Sequence, residues 1–336
     1  MSWVQIPSPA PNCFSNCLSR LSKRYTEEIC MANKPTEQEV LAYFDQVNNW
    51  GRWGTDDEIG TINFITPQKI AEAAGLVTEG QTVSCARPIV AEPAPDVRIP
   101  PVHFMVAAGD TVPDKGSGGT SDFIGVAFHG STVTHLDASC HAFWNGKMYN
   151  DRPASLVNSR DFAQAGSIEL LENGVVSRAI LLDIARLKRK DWMEPGEGVF
   201  PEDLEAAEEQ AGVKVGEGDI LLIRTGNYKR RLSLGPTNDG GPGPHAALLP
   251  WLHERRVAIL GSDTPNDTFP REYPAVGLPL HHIGIVSMGL WLLDNANLEE
   301  LSEQCTRLNR WEFMLSAGPL RVQNGTGSPV NPLAIF

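Results

Sequence analysis

Eight histidines are spread over 336 residues, yet His129, His135 and His141 fall within thirteen positions, where an even spread would put about 0.3 of one. The block begins Phe128-His129-Gly130-Ser131-Thr132-Val133-Thr134-His135-Leu136-Asp137-Ala138-Ser139-Cys140-His141 and runs on to Asn150. Its Thr and Val content predicts a strand over 131–137. Alternate strand residues share a face, so His135 and Asp137 point the same way. Ala138-Ser139-Cys140 is small and compatible with a turn, which brings His141 back toward the same point. Imidazole nitrogen with carboxylate oxygen suits a divalent ion of the zinc or manganese kind. Singly, each residue also has a structural reading: His135 on a carbonyl, His141 capping a turn, Asp137 closing a loop. Their coincidence favours the metal.

The same residues carry a resemblance. Thr134-His135-x-Asp137-x-x-x-His141 resembles the second half of His-x-Gly-Thr-His-x-Asp-x-Pro-x-His, a signature of the metal-dependent hydrolase family called cyclase, which includes kynurenine formamidases and isatin hydrolases. Two positions depart from it: Ser131 stands where the first histidine belongs and Ser139 where the proline belongs. A serine hydroxyl is a poor zinc ligand. His129, on the same strand face as position 131, is a substitute ligand or else a substrate contact. Asn49-Trp50-Gly51-Arg52-Trp53-Gly54-Thr55-Asp56-Asp57-Glu58-Ile59-Gly60-Thr61-Ile62-Asn63 is similar to the family's Trp-Gly then Asp-Glu-Ile-Gly-Thr-x-Asn segment, and Gly261-Ser262-Asp263-Thr264-Pro265 to its Gly-x-Asp-Thr-Pro segment.

A fourth block, from Leu280 to Leu298, holds His281, His282 and Asp294. Gly289 is expected to end a short helix and 290–293 to form a buried strand, with Asp294 emerging at its end. The family's second signature is a histidine followed twelve residues later by glutamate. His282 and Asp294 have that spacing, with aspartate in place of glutamate. His281 competes by proximity, but its twelfth residue is Leu293.

Elsewhere the chain reads as α/β. Thr36-Glu37-Gln38-Glu39 is a capping box opening an amphipathic helix, and Thr66-Pro67 starts a second helix through Leu76. Apolar runs at 179–183, 219–224 and 257–262 are of buried-strand type, the first two separated by a helix over 201–212. Residues 88–119, rich in Pro and Gly, read as a long lid or binding loop carrying His103, either a substrate contact or a loop histidine with a backbone partner. Asn145-Gly146 signals a hairpin turn, beside which Trp144 and Tyr149 are candidates for the pocket wall or for the core.

Residues 1–33 stand apart as an N-terminal extension, a candidate for disorder, with 34–336 as one hydrolase domain. The extension lacks an apolar core of signal-peptide length. Its Cys13 and Cys17 have no second pair at matching distance, and Cys85, Cys140 and Cys305 are scattered singly, which fits a reducing, cytoplasmic setting. A formal net charge of -13 argues against a nucleic-acid partner, and no apolar run approaches a membrane span.

The resemblance implies a cyclase-type β/β/α fold, with a mixed barrel-like sheet and flanking helices, assembled as a homodimer or homotetramer. It implies a Zn or Mn ion held by His135, Asp137, His141 and Asp294, with His282 and His141 moving protons. Trp144, Tyr149, His129 and His103 would contact a small aromatic or heterocyclic substrate. The expected reaction is hydrolysis of an aryl formamide, a cyclic amide or lactam, or a related lactone. The alternatives are a metal-assisted cyclase or dehydratase of secondary metabolism and a non-catalytic ligand-binding descendant.

Overall fold

Thr36 opens the first described helix, α1 (Glu37–Gln46), with the reciprocal capping box its sequence announces: its hydroxyl accepts from the Glu39 amide and its own amide donates to the Glu39 carboxylate. The computed structural model describes residues 34–111 and 116–336. The extension expected over 1–33, with Cys13, Cys17 and Cys30, lies outside the described residues. Helix α2 (Pro67–Ala74) follows with Thr66 as its cap and Pro67 at the first helical position, ending two residues before Leu76.

Among the described residues one mixed sheet of nine strands dominates. In chain order its strands are β1 (Thr82–Ser84), β4 (His135–Asp137), β5 (Val175–Asp183), β6 (Ile220–Arg224), β7 (Ile259–Ser262), β8 (Trp291–Asp294), β9 (Glu312–Ala317), β10 (Gly327–Pro329) and β11 (Leu333–Ile335). They lie side by side as β1-β11-β9-β5-β6-β7-β8-β4-β10. The middle run β5-β6-β7-β8 is parallel, and every other pairing is antiparallel. Numbers β2 (Val102–Ala107) and β3 (Ser121–Gly125) belong to a separate antiparallel ribbon.

Parallel strands buried on both faces read as continuous apolar runs, and here alternate residues feed two cores. Ile180, Leu182, Leu221, Ile223, Leu260 and Leu292 enter one core, beneath α1 and α5 (Leu248–Glu254); Leu181, Leu222, Trp291 and Leu293 enter the other. Helices α3 (Pro201–Ala211) and α4 (Asn227–Leu234) precede α5, and α6 (Glu299–Leu308) follows β8. The expected α/β architecture is present, with the sheet curled into a half-barrel and helices flanking it.

The helix expected before Gly289 is a π-helix, Leu280–Met288, ended by Gly289 in the left-handed conformation at φ 67°. Its C-terminal carbonyls need partners from outside the helix, and the Trp-Gly segment supplies them. Trp50 Nε1 donates to Val286 O at 2.7 Å, Asn49 N to Ser287 O and Asn49 Nδ2 to Met288 O at 2.9 Å. The same segment receives the turn at Asn145-Gly146: Tyr149 donates to Asp57 at 2.9 Å, and Asn150 Nδ2 reaches the carbonyls of Gly54, Thr55 and Asp57. It therefore fixes two site-bearing elements against each other.

The region read as one long lid loop is corrected in part. It contains β2, paired with β3 from Val102 opposite Gly125.

A Cβ added at Gly289 would lie 2.5 Å from the Tyr149 ring, at a φ that L side chains rarely adopt. Gly289→Ala should therefore cost at least about 2 kcal/mol, from overpacking together with left-handed strain. A chemical-denaturation midpoint unchanged from wild type would refute this packing.

Candidate metal centre

Strand β4 is only three residues long, yet its register sets the site. His135 lies opposite Asp294 of β8 and Asp137 opposite Leu292, with Leu136 opposite Leu293 between them. Leu136 and Leu293 point into one core. The alternation of strand side chains therefore turns His135, Asp137 and Asp294 to the other face, toward the π-helix. His141 returns after the turn at 138–140, where its amide bonds Ala138 O at 2.9 Å. The π-helix supplies His281.

These side chains converge on Asp137. Its Oδ1 lies 2.9 Å from His129 Nδ1, 3.4 Å from His135 Nε2 and 3.9 Å from His141 Nε2; its Oδ2 lies 3.6 Å from His281 Nε2. Asp294 Oδ2 stands 3.6 Å from His281 Nε2 and 3.8 Å from His135 Nε2. Two groups of three have atoms close enough to share an ion: His129, His135 and Asp137, and Asp137, His141 and His281. Asp137 belongs to both.

Hydrogen bonds behind the cluster orient its rings. His135 Nδ1 donates to Val133 O at 2.8 Å and His281 Nδ1 to Asp267 at 2.7 Å, so both present Nε2 to the centre. Asp267 is itself held by the Leu280 amide at 3.0 Å, and Asn266 Nδ2 donates to Asp294 Oδ1 at 2.7 Å. Such partners fix tautomer and direction in metal-ligating histidines.

The residues fit a divalent ion. Asp137 is fully buried, and neither of its oxygens, nor His129 Nδ1, has a hydrogen-bond partner of proper geometry. A buried carboxylate without donors needs a cation. Ion-to-ligand distances of roughly 2.0–2.2 Å put neighbouring ligand atoms about 3–3.5 Å apart, comparable to the separations here. The nitrogen and oxygen donor set suits zinc or manganese.

Without an ion the charges balance through protons. Burial pushes His135 down, but the Asp137 carboxylate outweighs it and raises its pKa to about 9. Burial likewise opposes a charged His281, yet the neighbouring carboxylates of Asp137, Asp267 and Asp294 hold its pKa well above the usual imidazole range. Asp137 is held well below the usual carboxylate range, burial being overcome by the imidazoles of His141 and His135. Burial carries His141 down to about 4, against the pull of Asp137. Cys140 is buried, and desolvation lifts its thiol to about 12, which makes it inert packing.

The structure thus gathers His129, His135, Asp137, His141 and Asp294 and adds His281. It turns His282 elsewhere. The His282 Nδ1 lies 2.5 Å from Val276 O, and its ring lies 6.3 Å from that of Trp144, which is stacked on Phe44. Successive helical residues point in different directions, so only one of the two adjacent histidines can face the cluster. Tyr149 is a buried brace on Asp57 rather than a pocket wall. His103 sits exposed on the β2-β3 ribbon, 3.8 Å from Asp122. Asp267 and Asn266 went unrecognised as orienting residues; the polar run after β7 was their only signal.

The family model described as "Putative cyclase" matches residues 62–267. A crystal structure described as a novel cyclase is 32% identical, covering 87% of this chain and 99% of its own at a TM-score of 0.79. The chain belongs to the cyclase family. Isatin hydrolase A from Labrenzia aggregata shares the fold at 23% identity and TM-score 0.56, over 78% of this chain and 94% of its own. Isatin hydrolase A from Ralstonia solanacearum does so at 21% and 0.54, over 79% and 95%. The comparison with curated proteins finds no match. No helix among the described residues of this cyclase-family chain is long and apolar enough to cross a membrane.

Two outcomes are expected. His281→Ala should abolish tight metal uptake and Asp267→Asn should weaken it about 10–100-fold, as loss of an orienting partner does, while His282→Ala keeps its metal; elemental analysis with a competing chelator reads all three. Second, a raised folded-state pKa stabilises below the unfolded value, and His135 rises from 6.5 to about 9. Metal-free protein should therefore lose melting temperature as pH climbs from 6.5 through 9. Metal-loaded protein, whose imidazoles are already neutral, should not follow. A flat metal-free profile would refute the charge balance.

Proposed function

We propose that this chain is a metal-dependent hydrolase that cleaves a non-peptide C–N bond, in an aryl formamide, a cyclic amide or a lactam, or the ester bond of a related lactone. One observation carries the reading: the two buried Asp137 oxygens, bare of donors and ringed by imidazoles. The fold shared with proteins named isatin hydrolases supports it.

In this reading Asp137 is the central ligand, His135 and His281 present their oriented Nε2 atoms, and Asp294 is aimed by Asn266. His129 takes the place that Ser131 leaves empty. A divalent ion held by these residues, Zn or Mn, would supply Lewis acidity, bringing the pKa of water down to about 7 and polarising a carbonyl oxygen. His141 would accept the proton of the attacking water and return it to the leaving nitrogen or oxygen. Its side chain is 25% exposed, against 2% for His135 and 8% for His281, so it is the imidazole at the mouth beside the half-open His129, on which it stacks at 4.0 Å. The proton-moving role that spacing gave to His282 passes to it. Substrate has room nearby: a cavity of about 380 Å³ is lined by Arg87, Ser131, Asn227 and Pro265, Ser131 coming two residues after His129 and Pro265 immediately before Asn266.

Turnover of a panel of aryl formamides, lactams and lactones in oxygen-18 water tests the reaction, because hydrolysis alone places label in the carboxylate product. Unlabelled product would favour metal-assisted cyclisation or dehydration. His141→Ala should lose roughly 10²-fold or more in rate, the usual scale for a positioned base, while His282→Ala stays within a few-fold. Near-normal turnover by His141→Ala would remove its role.

A further inference from the structure

The cavity beside Ser131 and Pro265 is also lined by Arg87, Arg230, Arg231, Asp96 and Asp239. Three cations thus face two anions. Two of the arginines are neutralised: Arg231 holds Asp96 through two bonds, at 2.5 and 3.1 Å, and Arg230 reaches Asp239 at 2.8 Å and Glu194 at 3.4 Å. Arg87 makes no ion pair among the described residues, although it is only 5% exposed. In a chain of net charge -13, this cavity therefore carries one positive charge in excess.

The partners of Arg87 are neutral. Its Nη1 donates to Ser131 O at 3.0 Å and its Nη2 to Asp263 O at 2.6 Å, while Nε has no partner, and the guanidinium lies 4.6 Å from the centre of the Tyr228 ring. A guanidinium offers five N–H donors, so three are left. Asp263 lends only its carbonyl. Its carboxylate is taken up by the amides of Thr225, Gly226 and Asn227 and by the Thr225 hydroxyl, at 2.7–3.0 Å. Burial draws Arg87 down to about 10, with Asp263 opposing, so it keeps its charge at neutral pH. A buried charge left without a counter-ion is costly, and an anionic ligand removes that cost.

Position and charge narrow the ligand. The two carbonyls that hold Arg87 belong to segments flanking the metal centre: Ser131 comes two residues after His129, and Asp263 three before Asn266, which aims Asp294. A molecule whose carbonyl lies at the centre thus meets Arg87 with another part of itself. A guanidinium fork receives carboxylate and phosphate alike, but a single excess charge matches the monoanionic carboxylate.

We infer that Arg87 is a specificity-determining residue, which binds a carboxylate carried by the substrate in the cavity beside the metal centre. Carboxylate-bearing amides and lactones form a substrate class within the proposed hydrolase function, on which this assignment rests.

Matched pairs of aryl formamides and lactams, with and without a ring carboxylate, test it on metal-loaded protein. Wild type should favour the carboxylate member at least about 10-fold in kcat/KM, the scale of a hydrogen bond to a charged group, and Arg87→Gln should lose that ratio chiefly through KM. A mere brace between Ser131 and Asp263 would lower both members alike; an unchanged ratio in Arg87→Gln, or a wild type without preference, overturns the inference. Asn238→Asp, on an exposed part of the lining, covers an Arg87 variant that fails to fold. By cancelling the excess charge it should lower the ratio about threefold, the scale of an exposed charge pair, and an unchanged ratio there also overturns the inference. Calorimetry with benzoate and benzamide separates the anion site from the reaction. Benzoate should bind wild type at least about 10-fold more tightly, a margin that Arg87→Gln loses. If that holds while nothing in the panel turns over, the hydrolase reading falls and the anion site stands. If substrates turn over but the benzoate margin survives in Arg87→Gln, the carboxylate sits on the metal and the anion site falls.

Discussion

Asp137 is a carboxylate with no exposure and no hydrogen-bond donor on either oxygen, and a group of that kind is tolerable only where positive charge surrounds it. Four imidazoles meet the demand from three directions. His135 comes from its own strand, His129 and His141 from the segments before and after it, and His281 from the π-helix. The pocket therefore has two charge-balanced states, one in which His135 and His281 carry protons and one in which an ion displaces them. The hydrogen bonds that aim His135, His281 and Asp294 come from the protein itself, so the site is largely organised before anything binds.

The sheet makes this arrangement possible by changing direction. Its parallel run ends at β8, and β4 is inserted antiparallel between β8 and β10. Asp294 at the end of one strand thereby meets His135 at the start of the next, on the same face. The antiparallel step brings together residues more than 150 positions apart through backbone pairing alone. The Trp-Gly segment then ties the π-helix to the turn after His141, so that the ligand from the far end of the chain is carried by the same framework as the early ones.

Much of this was legible in the residues. Period-two spacing placed His135 and Asp137 on one face, the small run 138–140 returned His141, and the apolar runs marked β5, β6 and β7. Spacing to Asp294 singled out His282, whereas the ring that faces the cluster is that of His281, because counting residues presumes a helix of ordinary pitch. Tyr149 looked like a pocket wall because an aromatic after a metal motif has the same signature whether it faces solvent or, as here, a half-buried carboxylate. The β2-β3 ribbon was hidden in a Pro- and Gly-rich stretch that carries no alternation of polar and apolar residues, since both of its faces are apolar.

The π-helix carries one further consequence, for how this family's sequences are to be aligned. A π-helical turn accommodates an extra residue relative to an α-helical one, so phase across Leu280–Met288 is a matter of insertion and deletion rather than of substitution. A relative whose corresponding segment is α-helical would reach the same rotational position one residue out of step. Aligned without a gap, its active histidine would fall in the column of His282, and His281 would look dispensable. Columns in this segment need to be assigned by the direction a side chain takes from the axis, with the gap placed inside the helix.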